Sequence, residues 1–178
     1  LLIICTGKFT KKINEYMARE KEYTGSFTLG ATTPTYDRET EPTDFKPFEQ
    51  LSNVEINEAT KQFTGDILQI PPIHSAIKIE GKPAYVMARK GHDVKMEPRM
   101  VTISIFEITD INLPEVNFRV VCTTGTYIRS LAYDFGQALG CGAYLSSLCR
   151  TRIGEFRVED AVSLVDFEKG LNKEKEAR

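Results

Sequence analysis

An α+β fold is predicted by three features of the sequence. Side chains alternate between apolar and polar over Tyr23–Leu29, Met100–Ile108 and Val116–Cys122, helical periodicity occupies separate segments, and two of the strands follow one another as a hairpin rather than as strand-helix-strand units. A chain of 178 residues, 41% hydrophobic, is long enough to bury the core of one domain. Its ordinary apolar fraction and formal net charge of -2 exclude disorder as the general state.

The elements follow in chain order. Phe9, Ile13, Tyr16 and Met17 recur at helical spacing and predict an amphipathic helix from about Thr10 to Arg19. Tyr23, Gly25, Phe27 and Leu29 alternate with polar residues as a half-buried strand does. The polar stretch Thr32 to Lys46, with Pro34 and Pro42, reads as a long loop, and a short helix over Asn57 to Phe63 stops at Gly65. Ser75 to Ile79 is a candidate strand, Glu80-Gly81 a turn, and Pro83 and Gly91 bracket a helix over Ala84 to Lys90. Asn112-Leu113-Pro114 joins Met100–Ile108 to Val116–Cys122 as an antiparallel hairpin. Ile128, Leu131, Phe135 and Leu139 predict a helix ended by Gly140. Arg152 to Val158 reads as a short strand, Ser163 as the cap of a last helix, and Asn172 to Arg178 as a charged, frayed tail.

Composition narrows the function classes. No apolar run approaches the ~20 residues of a membrane-spanning helix, and no signal peptide is evident, so a cytoplasmic protein is expected. Cys5, Cys122, Cys141 and Cys149 are scattered without a C-x-x-C pair, and His74 and His92 lie far from them, so neither a metal cluster nor a disulfide framework is expected. Charge is unevenly placed. Asp37 to Glu58 holds seven acidic residues against two basic, whereas Ser75 to Arg99 holds six basic against three acidic. A localised basic element on a nearly neutral body can contact phosphates without making the whole surface adhesive, although such a stretch is more often an ordinary solvated face.

Three segments concentrate residue types suited to chemistry. Gly125-Thr126-Tyr127-Ile128-Arg129-Ser130-Leu131 lies at a strand-to-helix junction, where loops present side chains over a sheet edge. Arg129 falls in the first helical turn, where the helix dipole favours anions, so a partner elsewhere is expected to hold it. Lys21-Glu22-Tyr23-Thr24-Gly25 opens a strand with an aromatic that can face a pocket. Pro71 to Lys78, followed by Lys82, Tyr85 and Arg89, sets basic residues and an aromatic along a hairpin and a helix. Taken singly, Tyr23 reads more often as a core ring and Arg129 as a surface arginine. Gly140-Cys141-Gly142 lacks the third glycine of a dinucleotide fingerprint and reads as a turn.

In this order, the segments Leu1 to Gly7, Lys21 to Gly30, Gln69 to Gly91, Cys122 to Gly136 and Gly140 to Gly154 resemble the tRNA pseudouridine synthase B (TruB) family, from Leu1 to about Leu164. The resemblance implies a pseudouridine synthase fold with a mixed, mostly antiparallel sheet flanked by helices, incomplete at its N-terminus. On that reading residues 1–165 are the C-terminal part of the catalytic domain, 71–99 a thumb-like element that grips RNA, and 166–178 a charged tail. It further implies isomerisation of uridine 55 in the tRNA T loop to pseudouridine, without cofactor or metal, in a protein expected to be monomeric when full length. That chemistry requires an extruded base, a carboxylate nucleophile and a group that handles the C5 proton. By resemblance, Tyr23 stacks on the flipped base and mediates that proton transfer, and Arg129 pairs with the catalytic carboxylate. Leu148 lines the pocket with Tyr127 near it, and Lys78, Lys82, Arg89 and Arg99, with Arg150 and Tyr127, contact RNA.

The family's nucleophilic Asp belongs to a Gly-x-Leu-Asp-Pro segment that these 178 residues do not contain. Asp134 follows Arg129 at i+5, and Asp37 matches a rim position, so neither is expected to replace it, and the chain alone is expected to be inactive. Two positions depart from the family pattern: Pro34 stands where an Asp is usual, and Cys149 where an Arg is usual. The alternative is a tRNA-binding or tRNA-folding module without catalysis.

Overall fold

Alternating apolar residues build the sheet around which the chain is arranged. The structure is a computed structural model that describes residues 1–79, 81–91 and 94–176, so Glu80 of the expected turn and His92 lie outside the described residues. Its strands are β1 (Lys21–Leu29), β2 (Gly65–Gln69), β3 (Lys78–Ile79), β4 (Lys82–Pro83), β5 (Arg99–Asn112), β6 (Glu115–Cys122), β7 (Ala143–Ile153) and β8 (Phe156–Arg157). Its helices are α1 (Ile13–Ala18), α2 (Asn53–Ala59), α3 (Ala84–Arg89), α4 (Ile128–Ala138) and α5 (Leu164–Glu176). Six strands pair in the order β2-β5-β6-β1-β7-β8, every pair antiparallel, and β3 and β4 form a separate ribbon. The α+β class read from the sequence is therefore the class observed.

The two faces of the sheet differ in chemistry because side chains alternate along each strand. Phe27, Ile103, Phe106, Val116, Phe118 and Val120 form one face and are covered by Ile128, Leu131, Ala132 and Phe135 of α4. Those four helical positions recur at i, i+3, i+4 and i+7, the stripe that faces a core. Phe27 stacks on Phe118 with ring centroids 4.2 Å apart, and Phe135 meets Phe106 edge-on at 5.4 Å. The opposite face carries an ion-pair ladder in which Arg119 joins Glu22 (2.8 Å) and Glu107 (3.2 Å), and Arg152 joins Glu20 (2.9 Å). At its end, buried Ser26 bonds to Ser147, Ser146 and Glu115.

Several expected elements differ in extent. The N-terminal helix splits into a 3₁₀ turn over Gly7–Lys12 and a short α1, and neither buries a residue. Phe9, Ile13 and Met17 stay 48%, 42% and 59% exposed, because their periodicity faces no packed layer among the described residues. Helix α2 starts earlier than expected, at Asn53, where Ser52 accepts from the Glu55 amide and the Glu55 carboxylate accepts from that of Ser52. The strand expected over Ser75 to Ile79 contracts to Lys78–Ile79. Beyond the expected strands, β2 pairs at the sheet edge and β7 spans eleven residues, of which only the end was anticipated. Ser163 caps α5 as expected, its Oγ accepting from the Asp166 amide at 3.1 Å, and the charged segment continues that helix to Glu176.

Candidate active site

Register places the candidate residues before any side chain is considered. Tyr23 of β1 stands opposite Arg150 of β7, and Gly25 opposite Leu148. Directly opposed residues share a face, and Tyr23 packs against the core cluster, so Tyr23, Leu148 and Arg150 lie on the side that α4 covers. A side chain at Gly25 would run into the Ser147 carbonyl and the Phe118 ring, so glycine permits the close approach of β7 beside Tyr23.

Tyr23 lines a cavity of about 220 Å³ with Lys21, Met17, Arg150 and the Thr123–Thr126 turn. Burial raises the Tyr23 phenol above its ordinary value, and the neighbouring Arg150 offsets part of that. Lys21 is buried, and its ammonium donates to the carbonyls of Met17 and Arg19. Burial lowers its pKa first, and Arg150 lowers it further. Arg150 fixes its own guanidinium by donating from Nε (2.9 Å) and a terminal nitrogen (2.7 Å) to the Leu1 carbonyl. Cys122, at the end of β6, is no thiolate at neutral pH: burial pushes it up to about 11.

Arg129 is held on α4 by three acceptors from two segments. It donates to Asp37 Oδ2 at 3.2 Å, to the Thr35 carbonyl at 3.3 Å and to the His74 carbonyl at 2.9 Å. The partner expected from its position is thus Asp37, which the sequence reading set at the rim of the site. Asp37 is itself immobilised: its Oδ1 accepts from Thr35 (2.7 Å) and from the Glu39 amide (3.0 Å). Tyr36, with a left-handed φ of 64°, stacks on Tyr133 of α4 at 4.3 Å and so anchors the loop next to Asp37. The loop also joins the sheet, where Asp37 bridges Leu145 and the Leu145 amide donates to the Tyr36 carbonyl.

The remaining candidates separate into two groups. Leu148 is 47% exposed beside the Tyr23 row, and Tyr127 is the N-cap residue of α4. Lys78 and Lys82 project from the β3–β4 ribbon, Arg89 ends α3 and Arg99 starts β5, all exposed and none lining the Tyr23 cavity. Arg89 lies 5.6 Å from the Tyr85 ring and 3.3 Å from Glu39. Arg129 does not line the cavity either; it lies in the first turn of α4, the helix that follows the Thr123–Thr126 turn. Asp134 has no role in this array, and burial pushes it up to about 6. Reading by residue type missed Lys21, whose signal was a lysine at the first position of an otherwise alternating strand. It also missed Gln69, the buried amide that closes β2. Among the described residues, no group of three or more His, Cys, Asp or Glu side chains is placed to hold a metal ion, and no helix is long and apolar enough to cross a membrane.

Comparison with known proteins converges on one family. The profile of the TruB family pseudouridylate synthase N-terminal domain matches residues 1–128, and that of the tRNA pseudouridylate synthase B C-terminal domain matches residues 129–178. The chain is 55% identical over 171 residues to tRNA pseudouridine synthase B of Flavobacterium johnsoniae, covering 96% of this chain and 75% of that protein. It is 47% identical over 174 residues to the protein of the same name from Phocaeicola vulgatus, covering 98% and 74%. Among solved structures, a Cbf5-Nop10-Gar1 complex superposes with a TM-score of 0.66 at 28% identity, covering 93% of this chain and 41% of that one. An H/ACA RNP bound to a substrate RNA containing 2'-deoxyuridine gives 0.61 at 25% identity, covering 93% and 39%. With a family profile spanning its first 128 residues and relatives about half identical over nearly its whole length, the chain belongs to the TruB family of pseudouridylate synthases.

Proposed function

We propose that this chain supplies the base-binding and carboxylate-positioning half of a tRNA pseudouridine synthase acting on uridine 55 of the T loop. The observation that supports the reading is that Tyr23 lines a cavity with the Thr123–Thr126 turn, and that this turn leads into the first turn of α4, which bears Arg129. An extruded uracil entering beside the turn meets the Tyr23 ring, and stacking on an aromatic contributes about 1–3 kcal/mol toward the cost of unstacking. Arg129 stands ready to orient a carboxylate: two of its nitrogens are fixed by Asp37, Thr35 and His74, which sets the plane of the guanidinium. The nucleophilic Asp enters from the family's Gly-x-Leu-Asp-Pro segment. Lys78, Lys82, Arg89 and Arg99 bind T-arm phosphates, and the protein acts as a cytoplasmic monomer.

The test is tritium release from a T-arm stem-loop labelled at C5 of uridine. The 178-residue chain should give no turnover, and the same chain joined to the Asp-bearing segment should convert the target uridine. A joined protein that folds, binds the stem-loop and leaves the uridine unchanged would overturn the enzyme reading. It would favour the alternative of a tRNA-binding or tRNA-folding module, for which the observation is that the exposed basic residues lie away from the Tyr23 cavity.

A further inference from the structure

Gln69 is among the largest fully buried side chains, 1% exposed, and it is polar. Burying an amide is costly unless its donor and acceptor are both satisfied. Both are satisfied by one residue: Gln69 Oε1 accepts the Tyr127 amide at 2.8 Å, and Gln69 Nε2 donates to the Tyr127 carbonyl at 3.1 Å. Tyr127 is the N-cap of α4, and its own side chain makes no capping bond. The Tyr127 carbonyl also accepts the Leu131 amide at 3.1 Å, so Gln69 grips the residue on which the first helical turn is built. Two residues further along is Arg129.

The grip is extended by its neighbours. Ser130 Oγ donates to the Ile70 carbonyl at 2.7 Å, and Arg129 donates to the His74 carbonyl. The segment 69–74, which leads from β2 toward the β3–β4 ribbon, is therefore bonded at three points to residues 127, 129 and 130. Leu68, next to Gln69, is 69% exposed and paired with Met100, so strand alternation turns Gln69 inward to the α4 junction.

We infer that Gln69 is a positioning residue of the isomerisation: its amide fixes the backbone of Tyr127 and thereby the direction in which Arg129 leaves α4. The inference rests on the synthase reading above. It requires that disturbing Gln69 change the chemical step rather than RNA affinity.

The protein carrying the Asp-bearing segment, with Gln69→Met and Gln69→Glu variants, provides the test. Methionine keeps length and removes both bonds. Glutamate as the anion keeps an acceptor for the Tyr127 amide but opposes the Tyr127 carbonyl with charge. As the neutral acid it restores a donor and an acceptor. A displacement near 1 Å at a catalytic group costs roughly 10²-fold in rate. Gln69→Met should therefore lower the single-turnover rate constant about 10- to 100-fold, with the Kd for a T-arm stem-loop within about twofold of wild type. Gln69→Glu should be slow at pH 8 and recover toward wild type at pH 6. Rates are taken relative to wild type at each pH, so that any effect of the neighbouring His74, Arg129 and Arg99, present in all proteins, cancels.

A merely structural amide would lower the melting temperature and leave the rate per folded molecule unchanged, and that result overturns the inference. So does a rate that falls in parallel with affinity, or a Gln69→Glu variant that gains nothing on acidification. Should Gln69→Met fail to fold, the pH recovery of Gln69→Glu decides alone. Should wild type itself form no pseudouridine, the synthase reading fails separately. Hydrogen exchange of the Tyr127 amide, faster than in wild type for Gln69→Met, which removes its acceptor, then still decides whether the grip exists.

Discussion

At the scale of single residues, the site is organised by what each charge is allowed to touch. Arg129 binds acceptors in two directions, a task that suits a planar fork and not the point charge of lysine. Arg129→Lys should thus lower pseudouridine formation about 10²-fold while T-arm affinity stays within twofold, measured by single turnover and gel shift. Asp37→Asn, which keeps shape and removes the charge, should fall in the same direction, and full activity in that variant would remove Asp37 from the array. Asp134 offers a different test. Burial raises its folded-state pKa to about 6, above its unfolded value of ~3.9. For a carboxyl shifted upward, ionisation costs the folded state more than the unfolded one. Stability is therefore greatest below the unfolded pKa and declines as pH rises through the folded pKa. Asp134→Asn should accordingly melt higher than wild type at pH 8, with the gap closing as pH falls from above 6 toward 4. A gap that stays constant across that range would show that Asp134 is not desolvated.

At the scale of elements, the distance between α4 and β7 is set by Gly136. A methyl group there would collide with the backbone of Gly142 and Ala143, so helix and strand approach at a separation that only glycine allows. Overpacking a rigid contact of this kind costs about 1–3 kcal/mol, and Gly136→Ala should lower the midpoint of urea unfolding correspondingly without changing its slope. Activity should fall as well, because α4 carries Arg129. The same two elements show what was legible in the sequence. Helix α4 was plain, because Ile128, Leu131 and Phe135 mark one stripe and Gly140 ends it with φ of 76°. Strand β7 was not, because the register shifts between the Ser26 and Phe27 pairs, so that Ser146 and Ser147 interrupt the alternation just before Leu148. The early start of α2 was legible but unread: Ser52 and Glu55 have capping-box spacing, yet no apolar stripe precedes Ile56. The Arg129–Asp37 pair could not be read at all. Ninety-two residues separate its partners, and only the loop folded onto β7 brings them together. The Gln69 grip is a tertiary contact of the same kind, with no local sequence pattern to announce it.

At the scale of the whole molecule, charge is sorted into a basic and an acidic stretch. The basic stretch from Ser75 to Arg99 and the acidic stretch from Asp37 to Glu58 touch where Arg89 meets Glu39 at 3.3 Å. Both of those side chains are well exposed, so the contact contributes little to stability in water and leaves the guanidinium open to exchange onto a phosphate. Lys78 and Lys82 are exposed on the neighbouring ribbon, whereas the carboxylates of the acidic stretch would repel a polyanion. This arrangement favours one docking orientation over general adhesion to polyanions. If these three residues contact phosphates, each removed charge takes about one released counterion with it. A combined Lys78→Ala, Lys82→Ala and Arg89→Ala variant should therefore weaken T-arm binding at low salt. The slope of log affinity against log salt should become shallower by about 2 to 3. Because none of the three lines the Tyr23 cavity, the rate at saturating enzyme should be preserved, which separates gripping from chemistry in one experiment. An unchanged salt slope would place the RNA on another face of the molecule.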